Sequence, residues 1–217
     1  MEPERIKALQ AGYGELADSY VERVYGELAN KPLDRELLDA FSAEMKDAGH
    51  VLDLGCGPGH VSRYLRDRGV DVTGLDLCEE MLARARRLNP DVTFVQGDMT
   101  ALHDPDGAWS GILAFYSLIH VPRTEMVDAL RGLRRILREQ APLFLAFHIG
   151  DEDRHIEDLW GHAVSLDFYL FTSKEMTGYL ETAGFHVERV VERDPYPDVE
   201  YPSRRSYILA RKPGGGR

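Results

Sequence analysis

The spacing of apolar residues changes character along the chain. In the first 47 or so residues it is helical: Leu16, Tyr20, Val24 and Leu28 recur every four residues, the repeat that lines one face of an α-helix. Pro32 and Asp34 then open a second helix whose apolar face carries Leu37, Leu38, Phe41 and Met45. From residue 48 onward, short β-rich runs alternate with amphipathic stretches, the pattern of a parallel sheet covered by helices on both faces. Strands are predicted near residues 50–54, 70–76, 92–96, 111–116 and 142–148, and helices near 59–67, 79–88, 124–138 and 173–183. Ser173 is the predicted N-cap of the last helix and Gly184 its C′ residue. Runs at 185–193 and 205–211 read as strands that pair antiparallel at the far edge of the sheet.

The expected architecture is therefore α/β: a Rossmann-like three-layer sandwich on a mostly parallel seven-stranded sheet with an antiparallel edge strand, plus an N-terminal helical lid. One domain is expected over residues 1–217, with the lid at 1–47, the core at 48–211, an insert over the pocket at 149–171 and a flexible tail at 212–217. No internal repeat is visible.

Composition narrows the function. No apolar run approaches the roughly 20 residues of a membrane span, and no apolar segment follows the charged N-terminus, so neither a membrane partner nor a signal peptide is expected. Cys56 and Cys78 are too few for a disulfide framework. A cytoplasmic, reduced protein is the expectation. The net charge of −11 repels phosphate backbones and argues against a nucleic-acid partner. Arg131, Arg134, Arg135 and Arg138 lie at helical spacing opposite Met126, Leu130, Leu133 and Leu137, and read as a solvated outer face.

The segment Val51-Leu52-Asp53-Leu54-Gly55-Cys56-Gly57-Pro58-Gly59-His60 carries the chemistry. An apolar strand enters a glycine-rich turn, then a helix. Gly55 and Gly57 permit a tight turn and a close approach to a ligand. The spacing is Gly-x-Gly-x-Gly, not the Gly-x-Gly-x-x-Gly that brings a pyrophosphate to a helix N-terminus. Asp53 beside the loop suits a ligand with a cationic amino group better than a diphosphate, the alternative being that it caps the next helix or orients the loop. Asp76, 21 residues after Gly55, ends the second strand where a carboxylate can accept both ribose hydroxyls. Gln96-Gly97-Asp98-Met99 places another carboxylate at the same rim.

These ordered motifs resemble the class I S-adenosylmethionine-dependent methyltransferases, small-molecule branch, over residues 11–211. The resemblance implies that Asp53, Gly55, Cys56 and Gly57 hold the methionine part of S-adenosyl-L-methionine, released as S-adenosyl-L-homocysteine. It implies that Asp76 binds the ribose, that Asp98 meets the adenine amino group, that Leu77 and Met99 sandwich the adenine ring, and that Met81 and Gly97 belong to the same cofactor site. Tyr13 and Tyr20 match tyrosines that close over the methionine carboxylate. Phe115-Tyr116-Ser117-Leu118-Ile119-His120-Val121-Pro122 matches the substrate-facing segment, with Phe115 on the cofactor side. The turn Glu139-Gln140-Ala141-Pro142 departs from the Pro-Gly-Gly type usual before the fifth strand, which bears on turn geometry more than on chemistry.

Methyl transfer from a sulfonium needs chiefly an acceptor held against the methyl carbon; a base helps when the acceptor carries a proton. His120 is the candidate base or orienting group, with a packing histidine as the alternative; Tyr116 and His148 are the other catalytic candidates. His148, Asp151, His155, Trp160, His162, Asp167, Phe168, Tyr169 and Phe171 make the insert dense in pocket-wall residues, and Tyr196 and Tyr201 can reach the same pocket. His148, His155 and His162 are seven apart, which is no compact metal-ligand spacing, so no metal is expected. The expected reaction is methyl transfer to O, N or C of a small organic acceptor, in secondary metabolism, by a monomer or homodimer. The alternatives are an inactive binding protein for the same sulfur nucleotides, acting as sensor or partner subunit, and a nicotinamide-dependent oxidoreductase.

Overall fold

A computed structural model describes residues 2–215 of the chain. Seven strands form one sheet: β1 (Val51–Leu54), β2 (Val72–Asp76), β3 (Thr93–Gln96), β4 (Gly111–Phe115), β5 (Pro142–His148), and, after a separate hairpin of β6 (Asp153–Leu159) and β7 (His162–Tyr169), β8 (His186–Arg193) and β9 (Arg205–Arg211). Their order is β3-β2-β1-β4-β5-β9-β8. β9 lies one place in from the edge and runs antiparallel to both neighbours; the other pairings are parallel.

The central strands are apolar almost without interruption because both faces are covered. On one face Leu52, Leu54, Ile112, Ala114, Leu143, Leu145 and Phe147 pack against α5 (Arg123–Ile136) and α6 (Ser173–Thr182). On the other, Val51, Leu113, Phe115, Phe144 and Ala146 meet α2 (Pro32–Met45), α3 (His60–Arg66) and α4 (Glu79–Leu88). This alternation along each strand makes the three layers. α5 alone buries Met126, Ala129, Leu130, Leu133 and Ile136, and each of its larger buried side chains contributes about 1.5–3 kcal/mol. Its arginines stay on the outer side: Arg131 pairs with Asp128 and Arg135 with Asp106; Arg138, just beyond the helix, donates to Ser110.

Several expectations need correction. The first helix, α1, spans Pro3–Val24. Leu28 falls beyond it, in a separate 3₁₀ turn at Glu27–Asn30, because the chain turns to let Pro32 start α2. Thr172, not Ser173, caps α6: its hydroxyl accepts the Glu175 N–H at 3.1 Å, while Ser173 donates to Ser206. Gly184 takes the left-handed conformation after α6. Other element ends differ by one or two residues, as fraying ends do. In the unusual turn before β5, Gln140 occupies the left-handed region at φ 65°. Of the expected flexible tail, Lys212 is tied to Ala141 and Leu137 by backbone and side chain; Gly216 and Arg217 lie outside the described residues.

The insert is the β6–β7 hairpin, closed by a two-residue turn in which Trp160 and Gly161 both have positive φ, 58° and 84°, the twist-matched hairpin geometry. Leu166 of β7 is fully buried between Leu9 and Leu16 of α1. Gly12 makes that approach possible, since a Cβ there would stand 2.8 Å from the Leu166 side chain. The hairpin and α1 thus brace each other above the sheet. Among the described residues no helix is long and apolar enough to cross a membrane.

Candidate active site

The strand order reverses between β1 and β4, and open α/β sheets bind ligands at the carboxyl ends of strands around such a point. A cleft of about 750 Å³, counted to its open mouth, lies there. The loop after β1 forms its floor. Gly55 and Cys56 donate their N–H groups to the Leu75 carbonyl, at 2.7 and 3.0 Å, which fastens the loop to β2. Gly55 sits at φ 70°, and any side chain there would run into Ser117. Asp76 takes the Gly57 N–H on one carboxylate oxygen at 2.7 Å and the Cys78 N–H on the other at 2.9 Å. Burial pushes its pKa up; the backbone donors Cys78, Gly57 and Leu77 oppose that.

Further walls come from Leu77, Met81, Asp98, Met99 and Phe115, and from Tyr13 and Tyr20 of α1 above. Asp98 also accepts the Thr100 N–H and hydroxyl, at 2.8 and 2.7 Å. Cys56 is buried with its thiol pKa raised by desolvation, which suits packing rather than reactivity. Tyr20 is covered from outside by Trp160 of the hairpin, ring centroids 5.7 Å apart.

His120 closes the cleft on its far side, in a short 3₁₀ turn after β4. Its Nδ1 lies 2.8 Å from the Asp167 backbone carbonyl, which can only accept, so Nδ1 carries the proton. Nε2 is then an acceptor, and the Tyr13 hydroxyl 2.6 Å away donates to it. Burial lowers the His120 pKa to about 4, against the Asp167 carbonyl bond, and raises that of Tyr13 well above its ordinary value. Near neutral pH the pair is a neutral phenol hydrogen-bonded to a neutral imidazole.

Three expected site residues lie outside the cleft wall. Asp53 is 1% exposed and accepts from Ser62 Oγ at 2.5 Å; burial pushes its pKa up to about 6 despite that bond. It anchors the start of α3 from within β1. Gly97 spends its N–H on the Asp76 carbonyl, with Leu75 filling the space where a Cβ would be. His148, at the end of β5, turns to Ser203 and stacks beside Tyr116. Of the insert's aromatic and histidine residues, Phe168 packs on His120, His155 and His162 pair with Asp167 and Ser19, and Phe171 enters the core. Tyr196 accepts from Leu33 N and Tyr201 is exposed, so neither reaches the cleft. Sequence reasoning missed Leu9, His60, Cys78 and Ser117, which do line it. His60 and Cys78 follow the glycine loop and Asp76 directly, so that adjacency was the available signal. Among the described residues no three His, Cys, Asp or Glu side chains gather to hold a metal.

A methyltransferase-domain family model matches residues 51–140, the stretch from β1 to the turn before β5. Over that stretch the chain is similar to S-adenosylmethionine-dependent methyltransferases, and its fold is theirs. Relatives include the malonyl-[acyl-carrier protein] O-methyltransferase of Enterobacter lignolyticus, 32% identical over 166 residues, covering 74% of this chain and 61% of that protein. The demethylmenaquinone methyltransferase of Beutenbergia cavernae is 37% identical over 108 residues, 50% of this chain and 42% of that one. The chain thus spans about half of the curated relatives it matches. Among solved structures, a DhpI–SAH complex superposes with a TM-score of 0.72 at 22% identity, over 98% of this chain and 99% of that one. The fold described above is shared with that structure, whereas the acceptor named differs between the two relatives.

A second polar centre adjoins the cleft behind Tyr116, whose backbone is left-handed at φ 59°. Its ring faces Lys31 Nζ at 5.7 Å and the Arg205 guanidinium at 5.9 Å, and its hydroxyl is 3.2 Å from that of Tyr207. Lys31 pairs with Glu27 at 2.7 Å and Arg193 with Asp34 at 2.8 Å; Glu200 is shared by Lys31, Arg193 and Arg205. All six charged side chains are buried or nearly so. Desolvation alone would raise Glu200, but the Arg193 bond, the Tyr196 N–H and the charges of Arg205 and Lys31 hold it at about 2.

Proposed function

We propose that this protein transfers the methyl group of S-adenosyl-L-methionine to a small organic acceptor, releasing S-adenosyl-L-homocysteine. The observation that carries the reading is one cleft in which the glycine loop, Asp76, Asp98 and Met99 meet the Tyr13–His120 pair. In this reading the loop at Gly55, Cys56 and Gly57 lies along the methionine part, and Tyr13 and Tyr20 cover it. Asp76 accepts from the ribose with the lone pairs its backbone donors leave free. Leu77, Met81 and Met99 enclose the adenine, Asp98 meets its amino group, and Phe115 borders the sulfonium. Asp53 and Gly97 act one layer back, through loop geometry. Residues 1–47 and the 149–171 hairpin form the lid. The sulfur nucleotide leaves and enters past Tyr20 and Trp160.

The protein's own chemistry is positioning and proton handling. An acceptor hydroxyl attacking the methyl carbon pushes the C–S bonding pair onto sulfur, and its oxygen becomes a strongly acidic oxonium. Tyr13 Oη accepts that proton while its own passes to His120 Nε2; Nδ1–H stays on the Asp167 carbonyl. A base of low pKa suffices because the oxonium forms as the methyl arrives. The net charge of −11 and the pairing of the α5 arginines with acidic and backbone partners favour an acceptor that is not a nucleic acid.

Calorimetric titration with S-adenosylmethionine, S-adenosylhomocysteine and NADH tests the reading. Both sulfur nucleotides are expected to bind and NADH not; NADH binding with no response to either sulfur nucleotide overturns it. His120→Gln is expected to lower kcat by about 10²–10⁴-fold with cofactor affinity kept, and unchanged turnover would remove the proton-transfer role.

A further inference from the structure

The cleft occupies the rim above β1 to β4, and the neighbouring rim, above β5, β8 and β9, adjoins it at Tyr116. That ground belongs to the charged centre behind Tyr116. Arg205 is in register with His148 across β5 and with Arg193 across β8, so three strands deliver these side chains to one spot.

Glu200 fills it. The segment joining β8 to β9 is exposed at Val199 (41%) and Tyr201 (57%), yet the Glu200 side chain between them is 3% exposed. Its carboxylate accepts from two Arg193 nitrogens and from the Tyr196 N–H at 2.8 Å, and lies 3.4 Å from both Lys31 Nζ and Arg205. Arg205 is 2% exposed, and its Nε finds no partner there, a donor left over in a buried site. Without Glu200, the ion pairs left to the three cations are Lys31–Glu27 and Arg193–Asp34, and Arg205 keeps only neutral acceptors on Ser203 and Tyr201. His148 does not add to the positive charge, because burial first, then Arg205 and Lys31, hold its pKa near 3.

We propose that Lys31, Arg193 and Arg205 form the acceptor subsite, that the acceptor carries a carboxylate, and that Glu200 is an internal carboxylate which that acceptor displaces. The proposal rests on the methyltransferase reading and extends it to the acceptor. Two guanidinium groups and an ammonium converging on one carboxylate are a planar, charge-assisted site. The Tyr116 ring lines the cleft and also faces Lys31 and Arg205, so an acceptor held by the cations extends past that ring toward the cofactor side. The carboxylate serves as the handle; the reacting atom lies beyond it, toward Tyr13.

The test uses the full chain saturated with S-adenosylhomocysteine, titrated with hexanoate and, as the neutral control, hexanamide. Glu200→Gln is expected to bind hexanoate at least about tenfold more tightly than the wild type (1.4 kcal/mol per tenfold), with no change for hexanamide; adding Arg205→Gln is expected to abolish the gain. In the wild type, millimolar hexanoate is expected to speed amide hydrogen exchange across residues 194–204, and hexanamide not to. Equal hexanoate affinity in Glu200→Gln and wild type, or unaltered exchange in the wild type, overturns the proposal: the cluster then only pins the loop. Loss of adenosylhomocysteine binding in the wild type would instead overturn the methyltransferase reading, and is seen in the first titration.

Discussion

The two halves of the rim are built on opposite principles. The cleft over β1 to β4 is open, and its ionisable groups are held neutral or bound by backbone donors: His120 low, Tyr13 high, Asp76 on two N–H groups. The neighbouring half over β5, β8 and β9 is filled, and its lysine, arginines and carboxylates are paired with one another around a neutral His148. A site made of backbone amides is set by the loop's path and costs little to leave empty. A site made of buried cations cannot be left empty without a counter-charge, so the chain supplies one. On the proposed reading, the contrast separates a site for a constant ligand from a site for a variable one.

Mutations that remove one charge from the filled half are expected to act on folding first. Arg193→Met strands Asp34, which is fully buried, and should cost about 3–5 kcal/mol of unfolding free energy; chemical denaturation measures it, and a loss below 1 kcal/mol would break the contrast. Gly55→Ala, in the open half, imposes both a left-handed Cβ and an overlap with Ser117. It should destabilise by about 1–3 kcal/mol and abolish adenosylhomocysteine binding; intact binding would show that the loop's path is not what the ligand reads. Asp76→Ala should weaken that binding by about 1–3 kcal/mol, read by calorimetry, with unchanged affinity removing Asp76 from the ligand's contacts.

Acid distinguishes the halves by window. Imidazoles held low in the fold are more readily protonated in the unfolded chain, so stability is complete above pH 6.5 and falls as pH drops toward 4 for His120 and 3 for His148. Glu27 and Glu200, held at about 2, add stability present above 4.5 and lost below it. Near pH 5 the two buried histidines should take up about two protons on unfolding while Asp53, held up at about 6, releases about one, so the net uptake should be about one, and His120→Gln should lower it by one. Thermal melts from pH 3 to 8 check this. The smallest effect is expected at the surface: Arg131→Ala breaks only an exposed pair with Asp128 and should stay within about 0.5 kcal/mol.

How far the sequence could be read follows the same division. The open half is local in the chain: Asp53 to His60, Asp76 to Cys78 and Asp98-Met99 are short segments at strand ends, and periodicity places strand ends well. Even there the loop pattern does not say whether Asp53 turns to a ligand or orients the loop, and its carboxylate is found on Ser62. The hairpin was legible only as a dense insert, since Trp160-Gly161 lacks the Asn-Gly or Asp-Gly signal that marks such turns. The filled half was not legible at all. Lys31, Glu200 and Arg205 are separated by up to 174 positions, from Lys31 to Arg205, and belong to no motif. Only the antiparallel register of β9 puts Arg205 opposite both His148 and Arg193.

The two backbone donors on Asp76 have a consequence for how the cleft receives its occupant. The carboxylate that would grip a ribose already spans from the glycine loop to the turn after β2, so loop and strand end are locked together before anything arrives. A ligand meeting that assembly need not organise it, and most of its contact energy is free to appear as affinity rather than as the cost of ordering a chain segment. Binding should accordingly leave the amide exchange of residues 55–57 nearly unchanged, and be driven by heat released rather than by disorder gained.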